Sequence, residues 1–168
     1  MLLRFNAGGE EVTIGDITFL EDQYFVGTTE AYSNPNVTEI ANTELDEIYL
    51  TERVSVTRGD ALPFSYEIPI ENGTYTVKFY FAEIFWGVTN PQMLDGGASS
   101  RIFDMNLEEQ DILNSFDIFT KAGGAATAIT RMYDIEVTDG VLNIDFLTSV
   151  DRPKVSAIEI FGNGTINP

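Results

Sequence analysis

Tyr75-Thr76-Val77-Lys78-Phe79-Tyr80-Phe81-Ala82 runs directly into Glu83-Ile84-Phe85-Trp86-Gly87, and the two halves of this stretch obey different rules. In the first half Tyr75, Val77, Phe79 and Phe81 alternate with Thr76, Lys78, Tyr80 and Ala82, the period of two that a strand with one buried face requires. The alternation breaks at Glu83, which stands where the next apolar residue is due. Ile84, Phe85 and Trp86 follow without a period, and Gly87 and Pro91 close the element. A strand therefore carries large rings, the sole tryptophan among them, to its end and into a loop. Rings in that position either bury themselves or face a flat, weakly polar ligand.

The segments on either side repeat the strand pattern. Phe64-Ser65-Tyr66-Glu67-Ile68-Pro69-Ile70 alternates, Pro69 marks it as an edge, and Asn72-Gly73 predicts a hairpin turn into the central strand. Downstream, Asp95-Gly96-Gly97-Ala98-Ser99-Ser100 is too small and polar to be anything but loop, and Phe103, Met105 and Leu107 alternate as a further strand. Ile112, Leu113, Phe116 and Ile118 are less periodic and read as a bridge to Lys121-Ala122-Gly123-Gly124. Residues 133–137 and 142–146 form strands around Asp139-Gly140, a second hairpin signal, and residues 155–161 form the last strand. On the N-terminal side, Leu3-Arg4-Phe5-Asn6 is a strand stopped by Ala7-Gly8-Gly9, and residues 16–19 form another. Residues 21–47, which hold Tyr24, Phe25 and Tyr32, read as a long irregular excursion over one end of the fold, followed by a short apolar-polar segment at 47–53. This makes about eight to ten short strands and no amphipathic helix. The expected fold is all-β, a jelly-roll-like sandwich of two antiparallel sheets with ligand loops at one end.

Composition narrows the function. A chain of 168 residues, 43% apolar and 12% aromatic, is expected to fold as one domain over 1–168 with its core at about 3–161. No apolar run reaches the length of a membrane span, and Met1-Leu2-Leu3-Arg4-Phe5-Asn6 is no signal-peptide core, so the start reads as a cut within a longer chain. Cysteine and histidine are absent, which excludes thiol nucleophiles, Ser-His-Asp triads and zinc sites built from those ligands. Nine Lys and Arg stand against 27 Asp and Glu, a net charge of -18, so nucleic acid and anionic membrane are poor partners. Such acidity fits solubility outside a cell or in salty water rather than an acidic active site.

Several motifs together carry a family resemblance. Asn6-Ala7-Gly8-Gly9, Tyr49-Leu50-Thr51-Glu52-Arg53, Tyr66-Glu67-Ile68-Pro69-Ile70, Phe81-Ala82-Glu83-Ile84, Arg101-Ile102-Phe103-Asp104 and Pro153-Lys154-Val155-Ser156-Ala157-Ile158-Glu159-Ile160 fall in the order of the malectin domain. The chain resembles a malectin-like carbohydrate-binding module from about residue 3 to residue 161. The resemblance implies a β-sandwich lectin. In the animal member, resident in the endoplasmic reticulum, loop aromatics and one aspartate hold a glucose disaccharide on an N-linked glycan. Bacterial relatives are attached to large secreted or surface proteins, often glycoside hydrolases.

Carried across motif by motif, the resemblance implies a carbohydrate site at Tyr32, Tyr49, Phe85, Trp86 and Asp151. Where the animal lectin has a tyrosine and a phenylalanine after Phe-Ala-Glu, this chain has Phe85 and Trp86, losing a phenolic hydroxyl and gaining a larger ring. The chemistry suits a sugar, whose C-H faces stack on rings and whose hydroxyls need polar partners once desolvated. Four of the five also have a plain structural alternative: Phe85, Trp86 and Tyr49 as core rings, and Asp151-Arg152 as a turn before Pro153.

Other signals are weaker. Asn36-Val37-Thr38, Asn72-Gly73-Thr74 and Asn163-Gly164-Thr165 match glycosylation sequons by pattern alone, and the paired glycines lack phosphate-loop context. Glu83 is the carboxylate first suspected of catalysis, but in that motif it is expected to be structural, accepting backbone N–H groups or pairing with an arginine. No cofactor is expected; an acidic sandwich could hold a structural calcium ion, yet no spaced Asp-x-Asp loop is present. The expected function is a non-catalytic module binding a glucose-containing oligo- or polysaccharide, covalently linked to other domains of an extracellular or cell-surface protein. The alternatives are an adhesive spacer without glycan affinity and a glycoside hydrolase with paired carboxylates.

Overall fold

The computed structural model describes residues 1–56 and 62–167. In chain order its strands are β1 (Leu3–Asn6), β2 (Val12–Ile14), β3 (Ile17–Phe19), β4 (Phe25–Gly27), β5 (Thr29–Ser33), β6 (Thr51–Ser55), β7 (Phe64–Pro69), β8 (Gly73–Phe81), β9 (Ile102–Leu107), β10 (Gln110–Phe116), β11 (Ile129–Val137), β12 (Val141–Val150), β13 (Lys154–Val155) and β14 (Ala157–Phe161). A 3₁₀ turn over Asp46–Tyr49 precedes β6, and a short helix α1 (Ile118–Ala122) lies between β10 and β11. Among the described residues a four-stranded sheet, β1-β14-β8-β11, faces a five-stranded one, β10-β9-β12-β7-β4, with a smaller sheet β13-β6-β5 and the ribbon β2-β3 beside them. Pairing within these sheets is antiparallel throughout. The fold is an all-β sandwich, and no helix among the described residues is long and apolar enough to cross a membrane.

The alternation of the central strand sets the core. Tyr75, Val77, Phe79 and Phe81 of β8 are buried and meet Tyr66, Ile68, Phe103, Met105, Leu107, Leu142, Ile144 and Phe146 of the opposite sheet. Each such side chain contributes roughly 1.5–3 kcal/mol over its exposed state. The reverse face of β8 is covered as well. Tyr80 is buried there in a second, smaller core with Phe19, Ile40, Ile48, Tyr49, Ile84 and Ala157, built where residues 34–50 fold over the sheet. Its ring stands edge-on to Phe19 at 5.9 Å and to Tyr49 at 5.8 Å, and its hydroxyl donates to the Glu159 carboxylate.

Two expected hairpins are not hairpins. Asn72-Gly73 joins β7 to β8 and Asp139-Gly140 joins β11 to β12, but in each case the strands belong to opposite sheets, so both turns are arches across the sandwich. The arches bond to each other through Ile70 N–H and Gly140 O at 2.9 Å. Pro69 sits at the end of β7, beyond the β4 pairing at Phe64 to Tyr66, so its missing N–H breaks no ladder there. The aperiodic residues after Leu107 are a strand, β10, hairpinned to β9. Its register shifts twice, between Asp111 and Leu113 and between Leu113 and Phe116, and those bulges erase the alternation. The turn between them is Glu108-Glu109, both in the left-handed region at φ +49° and +62°. The excursion is likewise less irregular than its sequence, since β4 and β5 lie within it and pair with β7 and β6.

Candidate functional site

The connections 82–101, 117–128 and 151–156 all leave from one end of the sandwich, where Phe81 pairs with Ile129, Phe103 with Phe116, Ile102 with Val150, and Ala157 with Tyr80. The excursion reaches the same end: Asn34, buried, donates its amide N–H to Ile84 O at 2.8 Å and Thr89 O at 2.9 Å. Ala41 N–H likewise donates to Ala126 O at 2.8 Å.

Glu83 organises this end. Its side chain is 1% exposed; Oε1 accepts the backbone N–H of Phe85 at 3.0 Å and of Trp86 at 3.2 Å, turning the chain out of β8. Oε2 accepts Nε–H of Arg101, itself 2% exposed, at 2.8 Å. Burial alone would raise the Glu83 pKa, but the charges of Arg101 and Lys154 and the donated bonds outweigh it and hold the carboxyl below its ordinary range. Arg101 also donates to Arg152 O, and Lys154, fully buried, donates to Glu52 and to Ala82 O. The expectation that Glu83 is structural is therefore met by both routes named for it.

Beyond Glu83 the rings form a chain of contacts. Phe85 and Trp86 meet edge-on at 4.7 Å and 83°, and Tyr32 of β5 meets Phe85 at 5.9 Å and 63°. Trp86 Nε1–H donates to Asp151 Oδ2 at 2.7 Å, and the same oxygen lies 3.7 Å from Arg101 NH1. Asp151 reaches that position from the left-handed region, φ +56°, which aspartate tolerates better than most side chains. Two glycines permit the packing. A Cβ on Gly96 would stand 2.3 Å from Trp86 Cε3, and one on Gly87, whose φ is +82°, would stand 2.4 Å from the Phe119 ring.

The structure thus brings Tyr32, Phe85, Trp86 and Asp151 together and sets Tyr49 apart. Tyr32 and Trp86 are half-buried and keep part of their surface in solvent. Phe85, at 1% exposure, is a ring beneath them rather than a displayed one. Tyr49 is 2% exposed because residues 34–50 close over it; it packs on Tyr80, and burial pushes its phenol up to about 12 despite a bond to Thr43. Tyr49, expected as a ligand contact, lies in the structure as a buried ring of the second core. Asn34, Asn90 and Arg101 were not foreseen as parts of this end. Asn90, buried, holds the loop by bonds to Leu94 O at 2.8 Å, Leu94 N–H at 3.1 Å and Phe85 O at 3.2 Å. Only a polar residue inside an otherwise small, turn-rich loop hinted at it. Among the described residues no group of three or more carboxylates is arranged to hold a metal ion.

Two concavities flank these rings. One, about 410 Å³, lies in the loop after Trp86 and is lined from Gly87 to Asn90 and from Met93 to Gly96. The other, about 320 Å³, has Tyr32 in its wall.

The chain is thus an all-β sandwich with three rings and a carboxylate gathered at one end. The chain belongs to the malectin domain family, which matches residues 1–167. It is 31% identical over 130 residues to a probable leucine-rich-repeat receptor-like serine/threonine-protein kinase of Arabidopsis thaliana, covering 69% of this chain and 12% of that protein. The chain spans 12 to 20% of the length of the curated relatives it matches. Its fold is shared with the ANXUR1 extracellular domain of Arabidopsis thaliana, at TM-score 0.79 and 17% identity over 99% of this chain and 48% of that one. It is shared too with part of a Bacteroides uniformis β-glucuronidase, at TM-score 0.74 and 17% identity over 96% of this chain and 18% of that one.

Proposed function

We propose that this domain is a non-catalytic carbohydrate-binding module of a larger extracellular or cell-surface protein. It holds a glucose-containing oligo- or polysaccharide at the end of the sandwich marked by Tyr32 and Trp86. The observation that carries the reading is the fixed train of rings. Trp86 is pinned at its indole nitrogen by Asp151, braced edge-on by Phe85, and linked through Phe85 to Tyr32. Rings held in place before a sugar arrives lose little freedom on binding it, and their apolar faces match pyranose C-H faces. In this arrangement Tyr32 and Trp86 contact the ligand, Phe85 supports them from below, and Asp151 sets the indole's orientation. Family membership and the extracellular origin of the ANXUR1 neighbour favour the same reading.

Catalysis is the poorer reading because the carboxylates at this end are committed. Both Glu83 oxygens accept hydrogen bonds and its pKa is held down, the opposite of what a general acid needs. The spacer reading predicts an intact fold with no glycan affinity. Titration of the single tryptophan's fluorescence with maltose-, cellobiose- and laminaribiose-series oligosaccharides separates the two. A saturable change at millimolar sugar, about -4 kcal/mol of binding, is expected. An emission spectrum unmoved by the whole panel would sink the binding reading and leave the spacer.

A further inference from the structure

Most sheet edges among the described residues are covered, bulged or short. The outer edge of β1 carries Leu20, whose carbonyl accepts Asn6 N–H at 2.9 Å and whose N–H donates to Arg4 O at 3.0 Å. β10 is broken by two register shifts, and β2, β3, β4, β5 and β13 are no longer than five residues. Such features blunt an edge against further pairing. β11 has none of them. Its residues, Ile129-Thr130-Arg131-Met132-Tyr133-Asp134-Ile135-Glu136-Val137, pair with β8 one for one without a shift, include no proline or glycine, and nowhere enter the left-handed region. β11 ends the four-stranded sheet, and no described strand pairs with its other side. Thr130, Met132, Asp134 and Glu136 are exposed on its outer face, with the apolar Met132, 56% exposed, near the middle. On the inner face Arg131 lies over the Phe116 ring and donates to Thr130 O at 2.9 Å, an exposed local bond that a partner strand can replace. Charge is divided along the strand. Arg131 stands in its first half, where α1 with Lys121 packs against it, and Asp134 and Glu136 stand in its second half, beside Glu108, Glu109 and Asp139.

We propose that β11 is an interaction surface for a second copy of this chain: the two strands pair antiparallel about a two-fold axis through Met132 and join their four-stranded sheets edge to edge. Residues directly opposite one another in an antiparallel pair share a face, so an axis normal to the sheet passes between one residue and its own copy. An axis at Arg131 or at Asp134 sets like charges opposite each other, and one at Tyr133 sets Met132 against Asp134 and Thr130 against Glu136. With the axis at Met132, Met132 meets Met132, Arg131 meets Tyr133 and Ile129 meets Ile135. Thr130 then meets Asp134, whose carboxylate already accepts the Thr76 hydroxyl from β8 at 2.5 Å on its other side. The same arrangement lays the basic half of each strand against the acidic half of its copy, whereas a parallel pair would match like with like. β11 begins at the loop end, where Ile129 pairs with Phe81, so antiparallel pairing points the two loop ends in opposite directions. A dimer on this edge carries its candidate sugar sites on opposite sides, fit to join two glycan-bearing surfaces rather than to double the hold on one. That use rests on the carbohydrate-binding reading above; the pairing itself does not.

Sedimentation equilibrium of the 168-residue chain in about 0.15 M salt, which screens the repulsion between two molecules of net charge -18, measures the pairing directly. Between roughly 10 µM and 1 mM protein the parent should pass from monomer to mostly dimer. Met132→Lys sets two ammonium groups opposite each other at the axis and should stay monomeric at the highest concentration, with the parent's melting temperature because the side chain is 56% exposed. The chain has no cysteine, so single-cysteine variants report the register. Position 132 faces its own copy, whereas positions 130 and 134 stand four residues along the strand from theirs, roughly 13 Å, too far for a disulfide. Oxidation should therefore cross-link Met132→Cys about tenfold faster than Thr130→Cys or Asp134→Cys. A parent that stays monomeric over the whole range overturns the dimer. A dimer that survives Met132→Lys, or equal cross-linking rates at the three positions, overturns this edge as its seat. Neither result bears on sugar binding, which the tryptophan titration tests by itself.

Discussion

Glu83→Gln tests the organisation of the loop end. The substitution keeps an acceptor oxygen for the N–H groups of Phe85 and Trp86, so the turn out of β8 keeps its backbone bonds. What it removes is the charge opposite Arg101, a guanidinium 2% exposed. Breaking a buried pair from one side costs about 3–5 kcal/mol, because the remaining ion stays buried without compensation. Here the lower end applies, since Asp151 Oδ2 lies 3.7 Å from Arg101 NH1 and supplies part of the missing charge. About 3 kcal/mol at roughly 2–4 °C of melting temperature per kcal/mol for a chain of this size corresponds to a fall of roughly 6–12 °C. Thermal unfolding followed by circular dichroism measures it. The pH profile supplies a second readout. Because the folded-state pKa of Glu83 lies below its ordinary value of 4.5, the stabilisation it gives is present above that pH and is lost as the pH falls further. The variant should lack that portion of the acid limb, so parent and variant melting temperatures should converge below it. A melting temperature equal to the parent's at neutral pH, or an undiminished gap in acid, would refute the assignment of Glu83 and Arg101 as the pair that holds this end.

Gly96→Ala drives a methyl group to 2.3 Å from Trp86 Cε3 and should displace the indole, shifting tryptophan emission and weakening oligosaccharide binding in the same titration. Tyr49→Phe removes a hydroxyl bonded to Thr43 but leaves the buried ring, so urea unfolding should show a loss of about 0.5–1.5 kcal/mol, with glycan affinity unchanged. Tyr49, Tyr66 and Tyr80 are all held protonated by burial, with folded-state pKa values above the ordinary 10.0. Their contribution is complete below that pH and lost as pH rises through the folded values. Alkaline titration followed by ultraviolet difference spectroscopy should show these three phenols ionising together with unfolding, and their ionisation in a still-folded protein would contradict it. Asn34→Ala leaves the carbonyls of Ile84 and Thr89 short of a donor and should cost about 1–3 kcal/mol in the same urea assay.

The elements most legible in the sequence were those with one buried face and an uninterrupted period, such as 75–81 and 103–107, because pleating ties alternation directly to burial. β10 was illegible for the same reason inverted, since two bulges shift which side chain faces inward. Asn72-Gly73 and Asp139-Gly140 marked the turns correctly but not what they join. Turn chemistry reports local backbone shape, and which sheet the next strand enters is decided by distant partners. The turn at Glu108-Glu109 carries none of the residues that favour positive φ, so tertiary pairing overrides local preference there. At the site, motif order located Phe85, Trp86 and Asp151 in one neighbourhood, but burial could not be read from it. Tyr49 precedes a strand just as an exposed loop tyrosine would, and only the folding of residues 34–50 over it makes it core.

The two arches make the sheets depend on each other from the start of folding. Because β7 and β8, and again β11 and β12, enter opposite sheets, neither main sheet can be assembled from neighbouring segments alone. β8 must wait for β11 and β14, the latter beginning at residue 157, before its ladder is complete. Such non-local pairing slows folding to roughly the millisecond-to-second range typical of β-sandwiches. It also means that a ribosome must release nearly the whole domain before either sheet can close, so the nascent chain spends its synthesis with the Tyr75–Phe81 stripe uncovered.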